Sequence, residues 1–295
     1  MKKYLVPANA VANAVAITAA IAVSIALAGC VSAPPEKAPE PRRKERVETV
    51  RVPVLLKESS YFADGVLDRT ATYTYDTTLK FLLEKRVQEP SRTEPTERIV
   101  YEYTGTAPAS ISVYDFEGKL RTRTDFKVDS AGRILQETVS DPKGSPQSRT
   151  RYEYDPSGLR TSRRVYDGAG ALMAISEYSY TAGRLAVVIL KDAAERPAGR
   201  VEHEYDAEGR LVLRVSFDPS GAVAQRERFV YAGGVLTEER LERGDGRVER
   251  RTVHEPGPEG APAKSTVYDG SGRIRDVRVY EYGFRSEERT VVYYE

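Results

Sequence analysis

The chain has 295 residues, and its 45 basic and 44 acidic side chains nearly cancel to a formal net charge of +1. A nucleic-acid-binding surface needs an excess of basic residues on one face. Basic residues cluster only in the run 42–46, which is expected to be a solvated linker. The composition therefore predicts no nucleic-acid partner. Nineteen tyrosines against seven phenylalanines and no tryptophan form the main compositional bias.

The N-terminal residues predict an exported, lipid-anchored protein. Lys2 and Lys3 precede an apolar stretch over about residues 11–28, which ends in Leu27-Ala28-Gly29-Cys30. A basic start, an apolar centre and small residues at the cut site are typical of a secretory signal peptide. The ending resembles the lipobox of bacterial lipoproteins, which implies cleavage after residue 29 and attachment of lipid, including palmitate, to Cys30. A retained membrane helix is disfavoured because no polybasic flank follows directly.

Two segments follow the predicted signal peptide, residues 1–29. Residues 30–50 carry Pro34, Pro35, Pro39 and Pro41 among charged residues, which predicts a disordered tether. A polyproline conformation rises ~3.1 Å per residue, so this tether would reach up to about 60 Å from the membrane. Residues 51–295 are predicted to form one folded domain. Cys30 is the single cysteine, so after acylation no thiol remains for a disulfide or a metal site.

From Tyr61 onward a turn signal recurs, with Asp early and Gly late, which favours a type I turn closed by a left-handed residue. One set of turns begins at Asp115, Asp141, Asp167, Asp218 and Asp269. A second set lies between them and begins at Asp129, Asp155, Thr181, Asp206 and Ala232. Each interval holds one strand. The predicted fold is an all-β, extended antiparallel meander of hairpins forming a single curled sheet, with about 26 residues per two-strand unit; a β-solenoid is the alternative.

The segments between turns alternate as half-buried strands do. Leu211, Leu213 and Val215 share one face, and Arg214 lies on the other. Aromatic pairs two residues apart precede the second set of turns at 101/103, 152/154, 178/180, 229/231 and 280/282, with mixed pairs at 126/128 and 203/205. Apolar residues follow the same turns at Ile134, Leu159, Leu185, Leu211 and Val235. We expect the aromatic rings to pack across each hairpin against these residues.

The string Tyr205-Asp206-Ala207-Glu208-Gly209-Arg210-Leu211 resembles the Tyr-Asp-x-x-Gly-Arg-Leu signature of YD repeats, the units of Rhs-type proteins. Weaker copies begin at Tyr114, Tyr154 and Tyr268. The resemblance covers about residues 100–285 and implies β-hairpins joined into one winding sheet. The few repeats and the lack of a distinct segment after Tyr282 argue against encapsulation of a toxin cargo.

Candidate catalytic and metal-binding residues have simpler explanations. His203 and His254 lie about four strands apart, too far to share one metal ion, and are expected to be solvent-facing or to replace aromatic residues. The Asp-x-x-Gly turns lack the alternating acids of calcium loops. The carboxylates Glu153, Glu177, Glu202 and Glu281 lie on the face opposite the tyrosines. We expect them to pair across strands with Arg133, Arg184, Arg210 and Arg273. The sequence thus predicts no catalytic residue, no cofactor and no metal.

Two functions remain open at this stage. The first is a non-enzymatic binding or structural module of the bacterial envelope, whose partner is an envelope protein or a glycan. The second is a chaperone or carrier that holds an apolar cargo, such as lipid or an outer-membrane protein, in a groove of the curled sheet. In both, Cys30 attaches the chain to the membrane, and Val31 after it favours the outer membrane. The oligomeric state is left open.

Overall fold

The structure is a computed structural model that describes the backbone of residues 43–294 and the side chains of residues 44–291. The predicted signal peptide, Cys30 and residues 31–42 of the predicted tether lie outside the described residues. The first strand begins at Arg43, inside the segment predicted as tether. One compact unit extends from Arg46 to Val291, and the few described residues outside it continue the first and last strands.

The described chain is almost entirely β, with one short 3₁₀ turn at Pro258–Gly260. The strands are β1 Arg43–Phe62, β2 Leu67–Tyr75, β3 Leu82–Gln88, β4 Glu97–Thr104, β5 Ala107–Asp115, β6 Leu120–Val128, β7 Ile134–Ser140, β8 Pro146–Tyr154 and β9 Arg160–Asp167. They continue as β10 Leu172–Thr181, β11 Arg184–Asp192, β12 Pro197–Tyr205, β13 Leu211–Phe217, β14 Val223–Ala232, β15 Val235–Arg243, β16 Val248–Pro256, β17 Pro262–Asp269 and β18 Ile274–Tyr294. No helix among these residues is long and apolar enough to cross a membrane.

The turn chemistry explains where the strands end. In the turn between β12 and β13, Gly209 N–H donates to the Asp206 carbonyl at 3.0 Å, and Gly209 has a φ of +83°. The Asp206 carboxylate accepts the Arg210 backbone N–H at 2.8 Å. A glycine adopts this left-handed conformation without the Cβ clash that other residues meet. The same Asp and Gly pattern closes seven further hairpins, at Asp115, Asp129, Asp141, Asp155, Asp167, Asp218 and Asp269, so turn residues set the lengths of these strands.

The prediction of an extended meander that forms a single curled sheet is wrong, and so is the β-solenoid alternative. Each strand pairs antiparallel with the next, and β1 also pairs with β18, which closes an 18-stranded barrel. At this seam the Lys57 ammonium donates to the Glu281 carboxylate at 2.7 Å. Closure follows from the twist and tilt that accumulate over many strands. It also removes the two unpaired edges that an open sheet would expose.

The barrel wall is a single layer with two different faces. The tyrosine face carries the alternate positions that include Tyr73, Tyr101 and Tyr152, and the charged face carries the positions between them. In β6, Thr124 and Phe126 on the tyrosine face are half-buried, while Asp125 and Lys127 on the charged face are exposed. In any barrel, side chains on the concave side are surrounded by the wall and are more buried than those on the convex side. Burial is the main cause of the raised pKa of Tyr73, Tyr101, Tyr152 and Tyr280, so the tyrosine face is the concave face that lines the lumen. Barrels of 16–18 strands leave that lumen open to water.

Candidate functional site: the lumenal tyrosine face

Two rows of mostly aromatic side chains encircle the lumen, each with one position on every even-numbered strand. The first aromatic row is Tyr73, Tyr101, Phe126, Tyr152, Tyr178, His203, Phe229, His254 and Tyr280. The second aromatic row, two residues further along each strand, is Tyr75, Tyr103, Val128, Tyr154, Tyr180, Tyr205, Tyr231, Pro256 and Tyr282. The rows arise because a residue pair spaced by two lies on one face of a strand and because the hairpin repeats around the barrel.

The second aromatic row has a structural role that the sequence pattern did not reveal. The Tyr205 hydroxyl donates to the Leu185 carbonyl at 3.0 Å, and the Tyr231 hydroxyl donates to the Leu211 carbonyl at 3.1 Å. The same bond, to a carbonyl 20 or 21 residues earlier, is made by Tyr103, Tyr154, Tyr180 and Tyr282. Each of these tyrosines therefore ties its own hairpin to the one before it.

Most register partners of the first aromatic row on the odd-numbered strands are polar, although Ile111 lies opposite Tyr101 and Val188 opposite Tyr178. Lys85 pairs with Tyr73, Glu137 with Phe126 and Arg163 with Tyr152 in the strand register. Burial, followed by the nearby Glu58 charge, raises the pKa of Tyr73 to about 12. Burial and then Glu137 raise the pKa of Tyr152 to about 12. The lining is thus aromatic and charged together rather than purely apolar.

A cavity of about 430 Å³ opens on the lumenal side of β1 to β4. Its lining includes Glu58, Arg69, Tyr73, Lys85 and Glu97. Such a niche, with one aromatic ring and charges of both signs, has the mixed lining from which polar ligands gain orientation. Among the described residues, no cluster of His, Cys, Asp and Glu has the arrangement of a metal site.

The two histidines occupy first-row positions, where other hairpins carry Tyr or Phe. Burial, and then the Arg214 charge, lowers the pKa of His203. His254 is hydrogen-bonded on both nitrogens, with Nδ1 2.8 Å from the Ser265 Oγ and Nε2 3.0 Å from the Glu239 carboxylate. The structure therefore places both histidines as lumenal replacements for aromatic residues, on β12 and β16.

The chain Glu239, His254 and Ser265 has the order of groups found in serine hydrolases. The hydrogen bond from His254 lowers the pKa of Glu239. Ser265, however, is only 1% exposed, so its hydroxyl has no access for a substrate carbonyl. A nucleophile must lie within reach of the bond that it attacks. The cluster is thus a hydrogen-bond network of the wall.

The predicted carboxylates lie on the charged face, but their partners differ from those expected. Glu153 accepts from Ser162 and Arg164, Glu177 from Lys191, Glu202 from Arg200, and Glu281 from Lys57. Arg133, Arg210 and Arg273 instead form ion pairs with the turn residues Asp129, Asp206 and Asp269, and Arg184 lies over the Tyr205 ring. The side chain of an arginine four residues after a turn aspartate folds back and forms an ion pair with that carboxylate. Local turn geometry therefore decides this pairing.

The fold and its lining define a class, a closed antiparallel β-barrel of repeated hairpins with a tyrosine-lined lumen. No protein-family model matches the chain, and no curated protein does. A porin-like protein from Bacteroides uniformis ATCC 8492 is similar at 12% identity, over 78% of this chain and 97% of that one, with a TM-score of 0.43. A porin-like protein from Bacteroides vulgatus ATCC 8482 is similar at 10% identity, over 78% and 98%, with a TM-score of 0.33.

A structure of TcdB2-TccC3-Cdc42 is similar at 12% identity, with a TM-score of 0.20. The match covers 78% of this chain but only 20% of that chain. Likeness at these identities and TM-scores carries no conclusion about the function of this chain.

Proposed function

We propose that this protein is a lipid-anchored, non-enzymatic binding protein of the bacterial envelope, in which YD-type hairpins form a barrel and the lumen receives the ligand. The observation that carries the proposal is the distribution of charge between the two faces. The outward face holds paired charges around the barrel, including Glu84 with Arg98, Glu153 with Arg164, and Glu238 with Arg251.

A membrane-spanning barrel needs an outward apolar band, and each Arg or Lys on that band costs ~2–4 kcal/mol near the bilayer midplane. The outward charges of this barrel occur at mid-strand, for example at Arg123 in β6 and Arg228 in β14. These positions favour a barrel that stands in water beside the membrane. Attachment then falls to the acylated Cys30, and Val31 directs the protein to the outer membrane.

The lumen is the better candidate for the binding surface. The outward charges already satisfy one another, whereas the first aromatic row presents tyrosine rings and charges to a concave space. Concave surfaces with aromatic walls and a few polar groups are typical of ligand sites, and Tyr carries much of the binding energy at interfaces.

An apolar cargo fits this lining poorly. A lipid chain against the first aromatic row would remove water from Lys85, Glu137 and Arg163 without offering them hydrogen bonds, and burying polar groups in that way is costly. The lining favours a polar ligand that meets both rings and charges. This observation supports the binding module over the carrier for lipid or an outer-membrane protein.

The test is to replace residues 1–29 with a signal peptide that general signal peptidase cleaves, together with Cys30→Ser. We expect the barrel to fold in the periplasm and to appear in the soluble fraction, while the native chain sediments with membranes. Recovery of the variant in membranes after a carbonate wash would contradict the proposal, because a barrel that spans the bilayer needs no acyl anchor. Heat-resistant migration on mild gels serves as the folding control for both chains.

A further inference from the structure

One position in the barrel breaks the repeat chemically. In most hairpins the residue that pairs with the second aromatic row is apolar: Leu82, Pro108, Ile134, Leu185, Leu211, Leu236 and Pro262. The residue paired with Tyr154 is instead Arg160. The order Gly158-Leu159-Arg160 replaces the order Gly209-Arg210-Leu211 of the most regular copy.

The Arg160 guanidinium lies among lumenal tyrosine rings. Its central carbon is 4.2 Å from the centre of the Tyr152 ring and 5.9 Å from those of Tyr154 and Tyr178. Its Nε is buried and has no hydrogen-bond partner. Among the described residues, no carboxylate lies within 4.0 Å of this group. Its charge is therefore held in the wall without a compensating anion.

A second arginine lies three residues further along β9. Arg163 is the register partner of Tyr152, whose hydroxyl donates to the Glu137 carboxylate at 2.9 Å. Arg163 therefore lies on the tyrosine face beside Tyr152, the ring on which the Arg160 guanidinium stacks.

We propose that Arg160 and Arg163 form a site for a small oxyanion, a phosphate or carboxylate group, at the lumenal wall. The site rests on the proposed function, because it uses the lumen as the binding surface. A guanidinium stacked on a ring leaves its edge N–H donors free, and that edge matches the two oxygens of a carboxylate or phosphate. Packing alone would be served by the leucine that neighbouring hairpins carry. A residue that breaks the local pattern of a repeat is expected at a functional or strained site.

The test compares four forms of the full-length chain, purified in a non-ionic detergent: wild type, Arg160→Leu, Arg160→Lys and Arg121→Leu. Arg160→Leu installs the residue that the repeat uses at this position, so we expect its melting temperature to equal or exceed that of wild type. Arg121 is exposed on the charged face and is the matched control. Isothermal titration with inorganic phosphate and with citrate distinguishes the two oxyanion types, and neutral maltotriose controls for binding to the aromatic rows alone.

We expect saturable binding of phosphate or citrate to wild type, at least a tenfold weaker affinity in Arg160→Leu, and an affinity within twofold of wild type in Arg121→Leu. Arg160→Lys, which keeps the charge but loses the planar fork, is expected to be intermediate. Equal affinity in wild type and Arg160→Leu, or no saturable binding of either oxyanion, overturns the proposal. If either of these results is found while the variant without the lipid anchor is soluble and folded, the oxyanion site is ruled out and the proposed function still holds.

Discussion

At the scale of single residues, the tyrosines serve two purposes that their spacing does not separate. The hydroxyls of second-row tyrosines such as Tyr205 donate hydrogen bonds to backbone carbonyls of the preceding hairpin. First-row tyrosines such as Tyr73 and Tyr101 direct their rings toward the lumen beside charged neighbours. Burial raises the pKa of both, which keeps the phenols neutral as hydrogen-bond donors over the physiological range. The first row is therefore the more available for a ligand.

The hydrogen bonds between second-row tyrosine hydroxyls and the preceding hairpin predict a graded loss of stability when a tyrosine is replaced. Tyr205→Phe removes only the bond to the Leu185 carbonyl, so we expect it to destabilise the barrel by about 0.5–1.5 kcal/mol. Tyr205→Ala also removes the ring that faces Leu211 and should cost about 1–3 kcal/mol. Urea unfolding curves of both variants measure the two effects. Equal effects of the two substitutions would mean that the ring contributes nothing beyond its hydroxyl.

Glu153→Ala is the control for these curves. Glu153 is 58% exposed at its side chain and pairs with Arg164 on the charged face, where exposed ion pairs contribute ~0–1 kcal/mol. We expect its effect to be smaller than that of Tyr205→Ala. A larger effect of Glu153→Ala would mean that the ion pairs of the charged face, and not the tyrosine face, contribute most to stability.

At the scale of elements, the hairpin turns depend on ionised aspartates. In the turn between β2 and β3, the Asp76 carboxylate accepts the backbone N–H groups of Lys80 at 2.9 Å and Phe81 at 3.0 Å, and the Thr78 hydroxyl at 2.5 Å. The bonds from Phe81 and Thr78 lower the pKa of Asp76 to about 2. Similar bonds lower the pKa of Asp155, Asp218 and Asp269. The turns are therefore a common acid-sensitive element.

The direction of the pH effect follows from these lowered pKa values. A carboxyl with a depressed pKa in the folded state stabilises the fold above its unfolded pKa, about 3.9. That contribution is lost as the pH falls toward the folded value of about 2 for Asp76. Asp76→Asn keeps one acceptor oxygen but no longer titrates. We expect the urea midpoint to fall less between pH 5 and pH 2.5 in Asp76→Asn than in wild type.

The matched control for this pH series is Asp64→Asn, since Asp64 makes one turn bond, to the Val66 N–H at 3.0 Å. If Asp64→Asn and Asp76→Asn change the pH dependence equally, the network around Asp76 has no special part in acid sensitivity.

At the scale of the whole molecule, stability depends on closure. A closed antiparallel barrel needs an even number of strands. Removal of one strand should therefore prevent closure, whereas removal of two adjacent strands should allow a smaller barrel to close. Deletion of residues 273–295 removes β18 and leaves β1 and β17 as unpaired edges, which invite edge-to-edge association. Deletion of residues 181–205 removes β11 and β12 and joins Tyr180 directly to the turn at Asp206, so a smaller ring can close.

We expect the chain lacking 181–205 to melt cooperatively and to elute no earlier than wild type from a size-exclusion column in the same detergent. The chain lacking 273–295 should elute earlier or aggregate, although it loses fewer residues. Identical behaviour of the two deletions would show that closure between β1 and β18 does not govern the stability of this barrel.

The sequence by itself determined the local structure of this protein. Asp and Gly at positions such as Asp206 and Gly209 specify the turns, and aromatic residues spaced by two, such as Tyr178 and Tyr180, specify strands with one tyrosine face. These features were predictable because turn chemistry and the period of two act over a few residues. The expected shared face of Leu211, Leu213 and Val215 is wrong, because a bulge beside Tyr205 leaves Leu211 opposite Tyr205 and places Leu213 and Val215 opposite Glu204 and Glu202. The resemblance to YD repeats and the lipid anchor at Cys30 remain predictions of the sequence.

Only the tertiary structure decided that the sheet closes and which face lines the lumen. The seam between β1 and β18 joins residues as distant as Lys57 and Glu281, which are 224 positions apart. No local sequence pattern predicts that pairing. Closure is set by twist and tilt summed over eighteen strands, each contributing a small rotation. The pairing of β9 with β8 and β10 places Arg160 among three tyrosines of these two strands, so its exchange with Leu159 had no visible meaning in the sequence alone.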